Sequence, residues 1–230
     1  MAQSLLTPAL SVFEQMALDE ILAHAAQQEP VLRFYHWTDG PAVTFGYSQF
    51  FGAVRAQVTA AQGPICRRPT GGGVVFHGAD LTFSLVFENA LRPTEIYAQL
   101  HAAIERELAA AQLMQSMRQG AVAAQAYAPM QGSTANGCFA NPVQDDLLSG
   151  GRKILGGAIR RFEHRVLYQG SLQCPQARTD VSFRRAIGTA VSSWWGEPLH
   201  TRPVPDELLK QARELAQTQY QTPTWIEKFL

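Results

Sequence analysis

The sequence predicts an α+β fold: one domain over residues 1–230, with mixed or antiparallel sheets flanked by helices. Segments with a two-residue apolar repeat and segments with a 3.6-residue repeat both occur, but not in the strict strand–helix–strand alternation of a doubly wound parallel sheet. A chain of 230 residues that is 46% apolar can bury one substantial core, and no Pro/Gly/Ser-rich run is long enough to divide it. No internal repeat is visible.

Taken in order, Ser11 followed by Glu14 is a capping-box signature, and Phe13, Ala17, Ile21 and Leu22 then recur on one helical face, which predicts a helix over roughly 11–26. Val31 to Trp37 partly alternates and Thr44 to Tyr47 is rich in β-formers; Gly40-Pro41 between them reads as the turn of a hairpin. Ile65 to Arg68, Val74 to His77 and Leu81 to Phe87 read as short strands around Gly71-Gly72-Gly73 and the Gly78 to Asp80 turn. A helix starting at Thr94 carries Ile96, Leu100, Ile104 and Leu108 on one face. From Gln115 to Gly137 the Gln/Ala/Gly/Ser mixture has weak periodicity and reads as a mobile loop that can close over a site. Leu147-Leu148, Lys153 to Arg160 and Arg165 to Leu172 read as strands of a second small sheet. Pro205 to Gln219 reads as a closing helix with Leu208, Leu209, Ala212, Leu215 and Ala216 inward.

Nineteen basic and nineteen acidic residues cancel, and neither sign gathers into a block, which argues against nucleic acid or an anionic membrane surface as partner. Met1 to Leu10 lacks the basic and apolar regions of a secretory leader, and no window approaches the roughly 18 apolar residues of a membrane span; the expected location is the cytoplasm. Cys66, Cys138 and Cys174 are an odd number at wide spacing, without a C-x-x-C pair, so neither a disulfide framework nor a cysteine-rich metal site is expected. Of the nineteen basic residues only Lys153, Lys210 and Lys228 are lysines.

Three segments can carry chemistry. In Arg67-Arg68-Pro69-Thr70-Gly71-Gly72-Gly73-Val74-Val75-Phe76-His77, glycines without side-chain cover let a ligand approach the backbone amides, and two arginines can neutralise a carboxylate or phosphate. The same run also suits a plain tight turn. It is neither a Walker A loop nor a G-x-G-x-x-G turn. In Gly150-Gly151-Arg152-Lys153-Ile154-Leu155-Gly156-Gly157-Ala158, a lysine flanked by glycine pairs can hold its ammonium against an oxygen that gains negative charge; the alternative is a solvated lysine on an edge strand. Cys138, fifteen residues before Lys153, is either a thiolate able to form a thioester or an inert small apolar side chain.

The first segment resembles the R-R-x-[ST]-G-G-[GR]-x-V-x-H signature of the lipoate-protein ligase and octanoyltransferase superfamily, and the second its G-x-K-[IVL]-x-G-x-A signature. Phe13 to Glu20 resembles the family's opening helix, with Gln15 where asparagine is usual. Leu32 to Trp37 with Thr44 to Gln49, and Tyr220 to Trp225, resemble further family segments in the right order. The resemblance implies a catalytic α+β domain of the biotin/lipoate-protein-ligase type, with an acyl tunnel beneath the glycine loop. It places Arg67, Arg68, Gly71, Gly72, Gly73 and His77 along that tunnel, Gly156 and Gly157 at the substrate, and Lys153 at the position of the family's essential lysine.

The activity implied is transfer of an octanoyl or lipoyl group to the lysine of a lipoyl-carrier domain, such as glycine-cleavage H protein or a 2-oxoacid dehydrogenase E2 subunit. Cys138-Phe139 upstream of Arg152-Lys153 is similar to the cysteine-type octanoyltransferases, which implies octanoyl acyl carrier protein as donor, a thioester on Cys138 and no cofactor. Gly73 is instead ligase-like, the Ala140 to Val143 context departs from the transferase pattern, and Tyr168 stands where histidine is common. These residues imply the alternative, ATP- and magnesium-dependent lipoate ligation through lipoyl-AMP. In a different class stands an acyl-binding protein without turnover.

Overall fold

The computed structural model describes residues 1–25, 29–38, 40–58, 63–88, 90–115, 146–149 and 152–229. In chain order these form β1 (Gln3–Leu6), α1 (Val12–His24), β2 (Val31–Phe34), β3 (Ala42–Phe45), α2 (Phe51–Arg55), β4 (Ile65–Arg67), β5 (Val75–His77), β6 (Leu81–Glu88), α3 (Pro93–Ala110), β7 (Leu147–Ser149), β8 (Arg152–Phe162), β9 (Arg165–Leu172) and β10 (His200–Pro203). Further helices span Pro175–Thr179, Val181–Trp195, Asp206–Leu215 and Pro223–Ile226. The architecture is α+β with mixed sheets, as predicted.

A seven-stranded sheet runs in the order β10-β1-β2-β6-β9-β8-β7, and a three-stranded sheet in the order β4-β3-β5. The pairs β10–β1 and β1–β2 are parallel, and from β2 onward the large sheet is antiparallel. Two expectations are corrected here. β2 and β3 are not a hairpin: β2 pairs with β1 and β6, while β3 pairs with β4 and β5 in the other sheet. β7, β8 and β9 are not a second small sheet but continue the large one through the β6–β9 ladder, which runs from Leu81↔Leu172 to Glu88↔Arg165. Period-two patterning identifies strands; their partners come from contacts distant in sequence.

Helix α1 begins where its cap predicts. Ser11 Oγ accepts from the Glu14 amide, and the Glu14 carboxylate accepts from the Ser11 amide at 2.8 Å, satisfying two amides that the helix itself cannot. The face expected to be inward is shifted, because α1 is enclosed on several sides. Val12, Gln15, Met16, Ala17, Leu18, Asp19 and Leu22 are buried, whereas Phe13 and Ile21 are only partly so.

The large sheet separates two apolar layers. On one face α3 buries Ile96, Leu100, Ile104 and Leu108, as their spacing predicts, together with Phe183, Ile187 and Val191 of helix Val181–Trp195 against Phe83, Leu85 and Phe87. Each such side chain contributes roughly 1.5–3 kcal/mol on full burial. On the other face lie α1 and helix Asp206–Leu215, with Leu209, Ala212 and Ala216 buried and Leu208 and Leu215 partly buried. The small sheet carries its own cluster around Val43, Phe45 and Val74.

Candidate functional site

Strand alternation puts a polar stripe on the α1 side of the large sheet. Directly opposed residues point to one face. One cross-strand row is therefore Arg33, Ser84, Gln169 and Ala158, and the next is Thr82, Ser171 and Gly156. Between this stripe, Met16 of α1 and the small sheet's Thr44, Val75 and His77 lies an open-sided cavity with about 370 Å³ of empty space. Tyr35, Arg68 and the backbone of Gly157 and Gly170 also line it, and Gly156 and Ala158 give it room by having little or no side chain.

The polar side chains of the stripe bond mainly to one another. Buried Arg33 donates to Asp19 Oδ1 at 2.7 Å and to Gln15 Oε1 at 2.6 Å. Asp19 also accepts from Ser84 at 2.6 Å, from Gln169 Nε2 at 2.7 Å and from the Tyr35 hydroxyl. Burial and the neighbouring Asp19 carboxylate push the Tyr35 hydroxyl well above its ordinary pKa, so it stays a donor. Thr70, just ahead of the three glycines, donates to Gln169 Oε1 at 2.6 Å. Gln169 thus links the glycine loop to α1.

His77 belongs to a second cluster. Its Nδ1 lies 2.9 Å from Asp80 Oδ2 and its Nε2 lies 2.8 Å from Thr44 Oγ1. The same Asp80 oxygen accepts from Ser171 at 2.6 Å and Thr82 at 2.8 Å. The Trp37 ring packs on the imidazole, with centroids 4.9 Å apart. With its hydroxyls engaged in this way, the cavity wall offers a ligand mostly carbon.

The two loop arginines part company. Arg68 lines the cavity and donates to the Gly71 carbonyl at 3.1 Å. Arg67 is fully buried and donates to the carbonyls of Tyr47, Gln49, Trp225 and Ile226. It is not among the residues that line this cavity, and its guanidinium is taken up by main-chain oxygens. Gly71, Gly72 and Gly73 also lie outside that lining, with the loop packed across the end of β3. A Cβ on Gly46 would sit 1.9 Å from the Gly72 carbonyl oxygen, and Gly72 itself has φ +89°; both positions exclude a side chain.

A β-bulge turns Lys153 to the sheet face of the polar stripe, although Lys153 is not itself among the residues that line the cavity. The β7–β8 register passes from Leu147↔Leu155 to Leu148↔Lys153, leaving Ile154 as an extra residue on β8. The extra residue shifts alternation by one. Ile154 and Leu155 consequently both join the α3-side core, and Lys153 falls on the face of Gly156 and Ala158. It is buried, and its Nζ lies 2.9 Å from Asp146 Oδ2. Cys138, the loop before it, Gly150 and Gly151 lie outside the described residues. Among the described residues no three His, Cys, Asp or Glu side chains gather as a metal-holding group. No described helix is long and apolar enough to cross a membrane.

Residues 11–187 match the model of the lipoyl protein ligase A/B catalytic domain. The chain belongs to this family. Among curated members, octanoyltransferase LipM of Symbiobacterium thermophilum is 34% identical over 167 residues, which cover 69% of this chain and 60% of that protein. LipM of Oceanobacillus iheyensis is 34% identical over 167 residues, covering 68% and 58%. The match thus spans about 60% of the length of these relatives. Among solved structures, lipoate-protein ligase A bound with ATP superposes with TM-score 0.70 at 20% identity, covering 100% of this chain and 99% of that one. The archaeal bi-partite lipoate protein ligase of Thermoplasma acidophilum, studied with its E2 lipoyl domain, gives TM-score 0.71 at 18% identity, covering 100% and 96%. These likenesses establish the lipoate-protein-ligase fold that the motifs imply.

Within this family fold, Arg68, His77, Gly156 and Gly157 of the motif segments line the cavity. Met16, Tyr35, Thr44 and Ala158 line it as well, and Asp146 lies beside Lys153, without a motif that singles them out as site residues. The available signal was a pair of polar residues two apart, Gln169 and Ser171, inside a strand whose residues are all buried.

Proposed function

We propose that this chain transfers an octanoyl or lipoyl group to the lysine of a lipoyl-carrier domain, with octanoyl acyl carrier protein as donor and a thioester on Cys138 as intermediate. The observation that supports the reading is the Ile154 bulge, which gives Lys153 the same sheet face as Gly156 and Ala158 of the cavity wall. The cavity is walled by Met16, Val75 and the backbone of Gly156, Gly157 and Gly170, an apolar surface that suits an alkyl chain. An alkyl chain entering it strands few polar groups, because Asp19, the Oδ2 of Asp80 and the hydroxyls around them are mutually bonded.

The chemistry requires a thiolate and a charge that stabilises the oxyanion. Of three cysteines, Cys66 and Cys174 are buried and their pKa values are pushed up chiefly by that burial, which suits packing and not nucleophilic attack. Cys138 remains. Its thiolate attacks the donor's thioester carbon, Lys153 stabilises the tetrahedral oxyanion, and the donor's thiol leaves. The carrier lysine's amine then attacks the Cys138 thioester, an amide forms and the Cys138 thiol is released. Carriers of this chemistry include glycine-cleavage H protein and 2-oxoacid dehydrogenase E2 subunits.

A second reading, ligation of lipoate with ATP and magnesium, is favoured by Gly73, which is ligase-like in the family motif. In it Lys153 neutralises carboxylate and phosphate, and Cys138 only packs. Intact-mass measurement after incubation with octanoyl acyl carrier protein, without ATP, separates the two. The transferase predicts an octanoyl adduct that is absent from Cys138→Ser and that passes to a lipoyl domain. Lipoyl-domain modification only with lipoate, ATP and magnesium establishes the ligase instead.

A further inference from the structure

We infer that Asp146 is the positioning residue of Lys153: its buried carboxylate aims the ammonium at the acyl carbonyl during transfer. This rests on the acyl-transfer reading above. Lys153 Nζ and Asp146 Oδ2 are 2.9 Å apart, with side-chain exposures of 4% and 5%. A surface ion pair does little, and a buried one is a weak source of stability because both charges lose water. What such a pair supplies is direction. A lysine stem has four rotatable bonds, and an ammonium without an anchor samples many positions. A carboxylate at hydrogen-bond distance fixes the axis of one N–H bond and orients the others.

The strands supply the other half of the geometry. Leu148, two residues after Asp146, is the register partner of Lys153, so one charge lies in the short β7–β8 ladder and the other just ahead of it. The Ile154 bulge turns Lys153 to the cavity face, and Asp146, leading into β7, meets it there. Charge held in advance where an oxyanion forms costs no reorganisation at the moment of reaction. Asp146 touches neither donor nor acceptor in this scheme and acts through Lys153.

The test compares wild type with Asp146→Ala, Asp146→Asn and Asp146→Glu in two assays. The first is steady-state acyl transfer to a lipoyl domain, from octanoyl acyl carrier protein and separately from lipoate with ATP. The second is reductive methylation read by peptide mass, with Lys210 and Lys228 as internal references. The expected result for Asp146→Ala is a fall in kcat of about 10–100-fold with KM for the donor within about twofold, misplacement being costly to chemistry more than to binding. Asp146→Glu recovers part of the loss, and Lys153 methylation speeds up relative to the two references. Unchanged kcat in Asp146→Ala overturns the inference, as does a loss that appears in KM and Tm alone. If wild type transfers from neither donor, the acyl-transfer reading falls and takes the positioning role with it. Faster Lys153 methylation in Asp146→Ala would then still report the ion pair, so the two failures are distinguishable.

Discussion

Gly157 lies beneath the ring of Tyr168: a Cβ built on Gly157 would sit 2.3 Å from Tyr168 Cε2. The ring is fully buried and its hydroxyl is 2.8 Å from His101 Nε2, so it cannot swing aside without losing that bond. Gly157→Ala is therefore expected to destabilise the fold by about 1–3 kcal/mol, the usual cost of overpacking, seen as a lower urea midpoint. In the double variant Gly157→Ala/Tyr168→Ala the added methyl should cost less than it does alone. Strict additivity would mean that the two residues do not press on each other.

Asp19 compensates a buried guanidinium. Asp19→Ala leaves Arg33 charged and without its carboxylate, a change expected to cost about 3–5 kcal/mol by chemical denaturation. Replacing both residues together with apolar ones of similar volume should cost much less. A midpoint for Asp19→Ala close to wild type would show that the network does not hold Arg33 in solution.

Asp80 ties stability to acid pH. Burial alone would raise its carboxyl pKa, but the charge on His77 and hydrogen bonds from His77, Ser171 and Thr82 outweigh burial and hold it below the ordinary value. Because the folded value is below the unfolded one, this stabilisation is complete above the unfolded carboxyl range, about pH 3.9. It is lost as pH falls through the lower folded value. Urea stability from about pH 5 down to about pH 2 should decline less steeply in Asp80→Asn than in wild type; identical slopes would remove Asp80 from the account.

Burial also sorts the thiols. Iodoacetamide at mildly alkaline pH should leave Cys66 and Cys174 unmodified in the folded protein, since burial raises both above the ordinary thiol range, and should label them on unfolding. Peptide mapping reads this directly. Rapid native labelling of Cys66 would contradict its enclosure.

The sequence disclosed those parts of the fold that depend on neighbours along the chain. Ser11 and Glu14 announce α1 because a capping box is a local exchange of hydrogen bonds, and Ile96 to Leu108 announce α3 because one helix face is a local pattern. Assigning β2 and β3 to a hairpin fails because Gly40-Pro41 turns the chain without making its flanks partners; β3 crosses to the small sheet and β2 joins β6. Patterning assigns nothing between Leu172 and Pro205, where Val181–Trp195 is helical, with Asp180 accepting from the Ser182 amide. Glycines and charges near the cavity could be read as chemistry, whereas Arg67 looked like its neighbour Arg68. Only the folded chain shows that four carbonyls, two of them from the C-terminal helix, occupy its guanidinium.

That clamp has a temporal side. Arg67 leaves the ribosome early, yet Trp225 and Ile226, whose carbonyls help hold it, are made more than 150 residues later. Until they emerge, a buried cation next to the glycine loop lacks half of its acceptors. The loop can therefore reach its final position only after Trp225 and Ile226 have emerged, so that a nascent chain carries a complete α3 long before it carries a finished cavity.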